Sequence, residues 1–211
     1  MPLTDTADLV LFYAPRSRAW TGLWIMEELG QPYRLELFDL NKGDHKSPRL
    51  MQHNPMGKVP TVLDGEVAIS ETGAIITYLF DKYAAGGLAP RPDEPERAAY
   101  LKWLFFGGGV IEPALGEKFF KWDVPSRSVA WGSFDDMVRT VTAAVEGGGW
   151  LAGDHFTGAD LYIAALLRFA IAFGAMPKEG PVADYVARCC ERPALARANA
   201  IEAQHAPTQA G

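Results

Sequence analysis

The sequence predicts an α/β domain followed by an all-helical domain, and three observations support this. Residues 9–83 contain short apolar or alternating runs of strand length, separated by helical patterns. Residues 84–95 are dense in proline, glycine and alanine, which is typical of a linker. Every longer pattern beyond them has helical spacing. We therefore predict an α/β domain over residues 1–83, a linker over 84–95 and a helical domain over 96–211.

Composition and charge limit the classes of function. The chain has 211 residues and a formal net charge of −6, which argues against a nucleic-acid binder because such proteins are usually basic. No apolar run is long enough to span a bilayer, and we expect no signal peptide. Cys189 and Cys190 are adjacent in a helical pattern and are expected not to bridge each other. We expect a reduced, cytoplasmic protein that binds neither nucleic acid nor membrane.

The α/β domain opens with a strand, a helix and a second strand. Residues 9–13 form an apolar run that predicts a buried strand. A turn leads from it into a helix that begins near Ala19 and that Gly30 ends. Residues 33–38 alternate well enough for a second strand, and a polar loop then precedes a short helix around 49–53.

The domain is organised around the stretch from Asn54 to Gly65. Two apolar runs joined by Asp64-Gly65 predict a hairpin, and Ser70 is a good N-cap for the helical pattern that follows. Pro60 has no N–H to donate to a sheet, so the backbone beside it is left able to pair with something else. We expect that partner to be an extended, peptide-like ligand with a carboxylate at the N-terminus of the following helix.

The helical domain carries two local signals. Three glycines at 107–109 interrupt a helical pattern and predict a bend, or a place where something packs close to the backbone. Thr157 and Asp160 form a capping box, with Phe156 and Leu161 at the positions of a hydrophobic staple. We interpret this second device as structural. Helices are predicted over residues 96–106, 110–121, 133–146, 157–173 and 182–191.

Three motifs, in this order and in these domains, resemble those of the cytosolic glutathione transferase family. They read Asn-Pro-Met-Gly-Lys-Val-Pro from Asn54, Ser-Glu-Thr-Gly-Ala-Ile from Ser70 and Phe-Thr-Gly-Ala-Asp from Phe156. The resemblance covers nearly the whole chain and is to bacterial-type members of the serine or tyrosine/arginine type. It implies a thioredoxin-like first domain and glutathione as co-substrate, without a metal. It also implies a cytoplasmic homodimer, with a role in detoxification.

The resemblance also implies which residues contact glutathione. In the family the Val-Pro peptide is cis, and the residue before the proline pairs through its backbone with the cysteinyl part of glutathione. These positions are Val59 and Pro60 here. Glu71 and Thr72 match the residues that hold the γ-glutamyl end. Basic residues bind the glycyl carboxylate in the family, and the candidates here are His45, Lys46 and Lys58.

Catalysis requires a group that stabilises the glutathione thiolate. Lowering a thiol pKa by about two units takes roughly 2.7 kcal/mol of differential interaction. The turn after the first strand offers a hydroxyl, arginines and a helix N-terminus, and cysteine is excluded because residues 1–83 contain none. Ser17 is the leading candidate, whereas Tyr13, Arg16 and Arg18 stay open because the spacing in this turn varies between classes.

The leading function is transfer of the glutathione thiolate to an apolar electrophile. One alternative is a glutathione-dependent peroxidase or disulfide reductase that needs no cysteine of its own. An alternative of another class is a non-catalytic glutathione-binding or regulatory protein with the same fold, since fold alone does not establish chemistry.

Overall fold

A computed structural model describes residues 8–84 and 87–206. Contacts within the chain divide these residues into two compact units. Unit 1 contains residues up to 79 together with those from 192 onwards, and unit 2 contains residues 80–191. The predicted division at 1–83, 84–95 and 96–211 stays a prediction, and it differs from these units in where it assigns the last helix.

Unit 1 is built on a four-stranded mixed sheet with the strand order β2-β1-β3-β4. The strands are β1 (Leu9–Tyr13), β2 (Tyr33–Leu37), β3 (Thr61–Asp64) and β4 (Val67–Ser70). β1 runs parallel to β2, as the crossover helix between them requires, and antiparallel to β3, while β3 and β4 form an antiparallel hairpin. The predicted order of strands and helices in this region is therefore confirmed.

The sheet is covered on both faces. Val10, Phe12 and Ala14 pack on one face with Phe38 and with Leu50 of the short helix α2 (Pro48–Met51). Alternation along a strand sends Leu11 to the opposite face, where helix α1 (Ala19–Leu29) packs. A Cβ added at Gly22 of α1 would lie 2.8 Å from Leu11 Cδ1, so this glycine allows the helix to approach the sheet closely.

The hairpin and its helix differ in detail from the prediction. Asp64 pairs with Val67, so Asp64 ends β3 and the two loop residues are Gly65 and Glu66. Ser70 is the last residue of β4 rather than the N-cap, because it pairs with Thr61 in the ladder. Helix α3 (Thr72–Tyr83) begins after Glu71, whose carbonyl accepts the N–H of Ile75.

The last helix, α9 (Pro193–His205), belongs to unit 1 and was not predicted. Its buried residues are Ala194, Leu195 and Ala198, so its packed face is made mostly of small side chains that give a weak periodic signal. Two ion pairs hold it to α1. Arg192 donates to both carboxylate oxygens of Glu28, whose side chain is 4% exposed, and Arg197 donates to Glu27.

Unit 2 is helical. Its helices are α4 (Arg97–Phe106), α5 (Glu112–Phe120), α6 (Phe134–Val145), α7 (Gly158–Ala172) and α8 (Pro181–Cys190). A π-helical turn, Gly107–Ile111, joins α4 to α5. A Cβ on Gly107 would lie 2.5 Å from the ring of Tyr162 in α7, so the predicted close packing at the triple glycine is confirmed.

Asp160 is the polar centre of unit 2. Its carboxylate is fully buried and accepts hydrogen bonds from the backbone N–H groups of Leu151 and Thr157 and from the hydroxyls of Thr157 and Tyr185. Burial raises the pKa of Asp160, while these hydrogen bonds act in the opposite direction. The predicted capping box is thus confirmed, and it also ties α7 to α8 and to the preceding loop.

Two further sequence predictions can be compared with the structure. Cys189 and Cys190 are both free thiols, and Cys189 is buried. Among residues 8–84 and 87–206, none of the helices combines the length and the apolar character that crossing a bilayer requires.

Candidate functional site

The candidate site lies at one end of the sheet in unit 1. Thr61 pairs with both Phe12 and Ser70, so the residues just outside the ladder on three strands are neighbours. These are the turn that follows β1, Pro60 before β3 and Glu71 after β4. The fold therefore brings together three segments that are separate in the sequence.

Val59 presents unused backbone at this end. The Val59–Pro60 peptide bond is cis, as the resemblance implied. No hydrogen bond to another described residue uses the N–H or the carbonyl of Val59. Val59 is only partly buried, so both groups are available to an extended ligand that pairs with the backbone in the manner of an added strand.

Asn54 supports this corner, a role that was not predicted from the sequence. Its side chain is 3% exposed and donates to the Lys58 carbonyl at 3.0 Å and to Thr61 Oγ1 at 3.1 Å. Its Oδ1 accepts the N–H of Met56, which closes the turn before Gly57. The signal was present in the Asn-Pro pair, since asparagine commonly opens turns through its own side chain.

The acidic side of the corner is the start of helix α3. Glu71 is exposed and has a φ of 66°, a left-handed conformation that few residues other than glycine adopt. Thr72 is the first residue of the helix, whose leading N–H groups have no partner within it. This arrangement offers a carboxylate, a hydroxyl and a positive helix end within two residues.

The basic side is formed by the loop before α2 and by the turn before Pro60. Lys46 Nζ donates to the Met56 carbonyl at 2.7 Å, which brings this lysine beside the corner. A Cβ on Gly57 would lie 2.5 Å from the His45 carbonyl oxygen and 3.0 Å from Lys46 Nζ, so glycine allows the two loops to approach closely. Lys58 is exposed, and the Nδ1 atom of His45 is buried without a hydrogen-bond partner among the described residues.

In the turn after β1, Ser17 is already hydrogen-bonded. Its hydroxyl donates to the Ala14 carbonyl at 2.7 Å, and its oxygen accepts the N–H of Ala19 at 3.1 Å. It therefore stabilises the start of α1. Arg16 is exposed with a φ of 56°, and Arg18 is partly buried before the first residue of α1.

Tyr13 is the least accessible of the four activation candidates. It is 0% exposed, and its ring contacts that of His205 in α9 edge-on at 6.4 Å between centroids. Its hydroxyl has no hydrogen-bond partner among the described residues. A hydroxyl enclosed in this way cannot reach a ligand at the surface without local rearrangement.

Comparison with known proteins agrees with this geometry. The family described as "Glutathione S-transferase, N-terminal domain" matches residues 7–81. The glutathione transferase of Methylococcus capsulatus superimposes with a TM-score of 0.75, covers 93% of this chain and 99% of that protein, and is 28% identical. The chain has the glutathione S-transferase fold. Its unit 1 contains the thioredoxin-like sheet of that fold, and the helices of unit 2 follow it.

Two further comparisons are with Ure2p and with a bacterial oxidoreductase. Ure2p in complex with glutathione superimposes with a TM-score of 0.73 at 26% identity, over 94% of this chain and 99% of that one. A disulfide-bond oxidoreductase, YfcG of Escherichia coli, is 29% identical over 164 residues, which are 72% of this chain and 75% of the relative.

Within the described residues, no three histidine, cysteine, aspartate or glutamate side chains gather as a metal site would require.

Proposed function

We propose that unit 1 binds glutathione in an extended conformation and that the protein transfers its sulfur to an apolar electrophile. The observation that carries the proposal is the unused backbone of Val59 beside the cis bond to Pro60. An N–H and a carbonyl on one residue match the carbonyl and N–H of the cysteinyl unit in an antiparallel pair. The thiol then extends toward the turn that follows β1.

The charges on either side of Val59 suit the two ends of glutathione. Glu71 would pair with the α-ammonium group of the γ-glutamyl end, while Thr72 and the N-terminus of α3 would bind its α-carboxylate. At the other end Lys46 and Lys58, with His45 nearby, would bind the glycyl carboxylate. Opposite charges at the two ends would also fix the direction in which the tripeptide lies.

We assign activation of the thiol to Ser17. Its hydroxyl proton is committed to the Ala14 carbonyl, and giving up a neutral hydrogen bond costs about 1 kcal/mol. A hydrogen bond to a thiolate is charge-assisted and contributes about 1.5–3 kcal/mol, so redirection toward the sulfur is favourable on balance. The thiolate then attacks an electrophilic carbon, a carbon–sulfur bond forms, and the leaving group departs with its electron pair.

The name of the E. coli relative favours a second candidate, which is disulfide reduction. Here the thiolate attacks the glutathione sulfur of a mixed disulfide, so that oxidised glutathione forms and the other sulfur leaves as a thiolate. This reaction needs the same activated thiol and no cysteine of the enzyme. Together with the transferase candidate, we propose that the protein is a cytoplasmic homodimer with a role in detoxification.

Calorimetry with reduced glutathione tests the common step. If no binding occurs at millimolar concentration, both enzymatic candidates fall. Glu71→Gln should weaken binding by about tenfold, because a charge-assisted contact of about 1.4 kcal/mol is lost. The matched control is Glu66→Gln, an exposed glutamate in the hairpin loop, which should not change the affinity.

Turnover then separates the candidates. A halonitroarene tests conjugation, while a mixed disulfide of glutathione and a hydroperoxide test the two redox reactions. Faster turnover of the mixed disulfide would favour the second candidate over the first. Binding of glutathione without turnover of any of these substrates would point to a binding or regulatory protein. Sedimentation as a monomer would exclude the proposed homodimer.

A further inference from the structure

Helix α9 covers the turn that follows β1 and reaches its backbone directly. Glu202 Oε1 accepts the N–H of Arg16 at 2.8 Å, across 186 positions of sequence. One turn of helix earlier, Asn199 Oδ1 accepts the indole N–H of Trp20 at 3.0 Å. The ion pairs of Arg192 and Arg197 with α1 hold the same helix in place from its other end.

The contact falls on a residue whose conformation requires support. Arg16 has a φ of 56°, and a side chain with a Cβ is unfavourable in that left-handed region. Such a conformation persists only where the surroundings impose it. The hydrogen bond from the Arg16 N–H to a carboxylate is charge-assisted, and it fixes the peptide group that this unusual φ orients.

The conformation of Arg16 controls the geometry of Ser17. The peptide that joins them sets where the Ser17 hydroxyl lies relative to Ala14 and Ala19, its two present partners. A turn that relaxed to an ordinary backbone conformation at Arg16 would displace this hydroxyl. Because a hydrogen bond from the hydroxyl to a thiolate depends steeply on distance and angle, such a displacement would slow the reaction more than it weakens ligand binding.

We propose that Glu202 is a positioning residue, through which helix α9 holds the turn that activates the thiol. The role in catalysis rests on the proposed function of Ser17, whereas the role in fixing the turn does not. Glu202 acts through the backbone of Arg16 and need not touch the substrate. Its second oxygen, Oε2, is buried without a hydrogen-bond partner among the described residues.

The test compares three variants of α9. Glu202→Ala removes the acceptor, Glu202→Gln keeps an acceptor without the charge, and Gln204→Ala changes an exposed residue of the same helix as a control. In the protein without glutathione, NMR measures exchange of the Arg16 amide hydrogen. Exchange should be about tenfold faster or more in the alanine variant, whereas the glutamine variant and the control should stay within about threefold of the parent protein.

The second readout is the separation of kcat from affinity with a halonitroarene. In Glu202→Ala we expect kcat to fall about tenfold, equivalent to about 1.4 kcal/mol, while the Kd for glutathione changes by less than about twofold. Glu202→Gln should restore most of kcat. Unchanged exchange of the Arg16 amide hydrogen or unchanged kcat in the folded Glu202→Ala variant would overturn the proposal. A Glu202→Gln variant whose kcat falls as far as that of Glu202→Ala would also overturn it.

The two proposals fail separately. If the parent protein binds no glutathione, the proposed function is lost, and amide exchange alone decides whether Glu202 fixes the turn. If the parent protein turns over the halonitroarene but the alanine variant is unaffected, only the positioning role is lost. Circular dichroism confirms in each case that the variant is folded.

Discussion

Replacing Asn54 with alanine tests whether this side chain supports the corner that carries Val59. The substitution removes three hydrogen bonds, to the Lys58 carbonyl, to Thr61 Oγ1 and from the Met56 N–H. Each contributes about 1 kcal/mol net. Lys58 keeps a second donor, since Thr61 Oγ1 also donates to its carbonyl at 2.9 Å. We therefore expect the free energy of unfolding to fall by about 2 kcal/mol.

Asn54→Asp should be more harmful than alanine. The aspartate keeps the acceptor for Met56 but places an oxygen against the Lys58 carbonyl and Thr61 Oγ1, where the amide now donates. Thr61 has one hydroxyl proton, so it can donate either to the Lys58 carbonyl or to the new carboxylate oxygen, but not to both. The site is 3% exposed, so a charge there would also lose hydration. The predicted order of stability is parent, alanine variant, aspartate variant.

Urea denaturation, monitored by circular dichroism, measures these differences in stability. The comparison requires that the slope of the free energy of unfolding against urea concentration is the same in each variant. Asn41→Ala is the control, because Asn41 is an exposed asparagine, and its stability should stay within about 0.5 kcal/mol of the parent. The Kd for glutathione should rise about tenfold in Asn54→Ala if the corner orients Val59. A loss of less than about 0.5 kcal/mol in the alanine variant would refute the supporting role, and an aspartate variant more stable than alanine would refute the assignment of donors.

Four other substitutions test separate features of the structure. Gly107→Ala would place a methyl group against the Tyr162 ring and should destabilise the protein by about 1–3 kcal/mol. Gly109→Ala, which meets no atom within 4 Å, should stabilise it by up to about 1 kcal/mol, so thermal melts with the opposite order would contradict the packing account. Asp160→Ala leaves several buried donors without an acceptor and should cost about 3 kcal/mol or more in urea denaturation; a near-neutral result would mean that water replaces the carboxylate. Ser17→Ala should lower kcat/KM for conjugation about 10- to 100-fold with little change in glutathione affinity, and an unchanged rate would move the activating role to an arginine.

Much of unit 1, and the start of α7 in unit 2, could be predicted because the signals are local. Alternation and apolar runs predicted β1 and the hairpin, and Gly30 marked the end of α1, where it adopts a left-handed conformation. Thr157 and Asp160 identified the start of α7 for the same reason, since both partners of a capping box lie within one helical turn. In each case the residues that specify the structure are close in sequence.

The candidate site was predicted in its parts and not in its arrangement. The sequence identified Pro60, Glu71 and the turn containing Ser17 as separate features, and the strand register then brought them to one end of the sheet. Ser70 was misassigned as an N-cap because serine suits that position, while its pairing with Thr61 depends on another strand.

By itself, the sequence determined the order of the elements over residues 9–83, the cis-prolyl corner by resemblance and the capping box of α7. The tertiary structure alone decided that α9 packs on α1, that Glu202 reaches Arg16, that Asn54 supports the corner and that Tyr13 is enclosed. The physical reason is the range of the interactions. Periodicity, caps and turns act over a few residues, whereas burial and the partner of a polar atom depend on segments that meet only after the chain has folded.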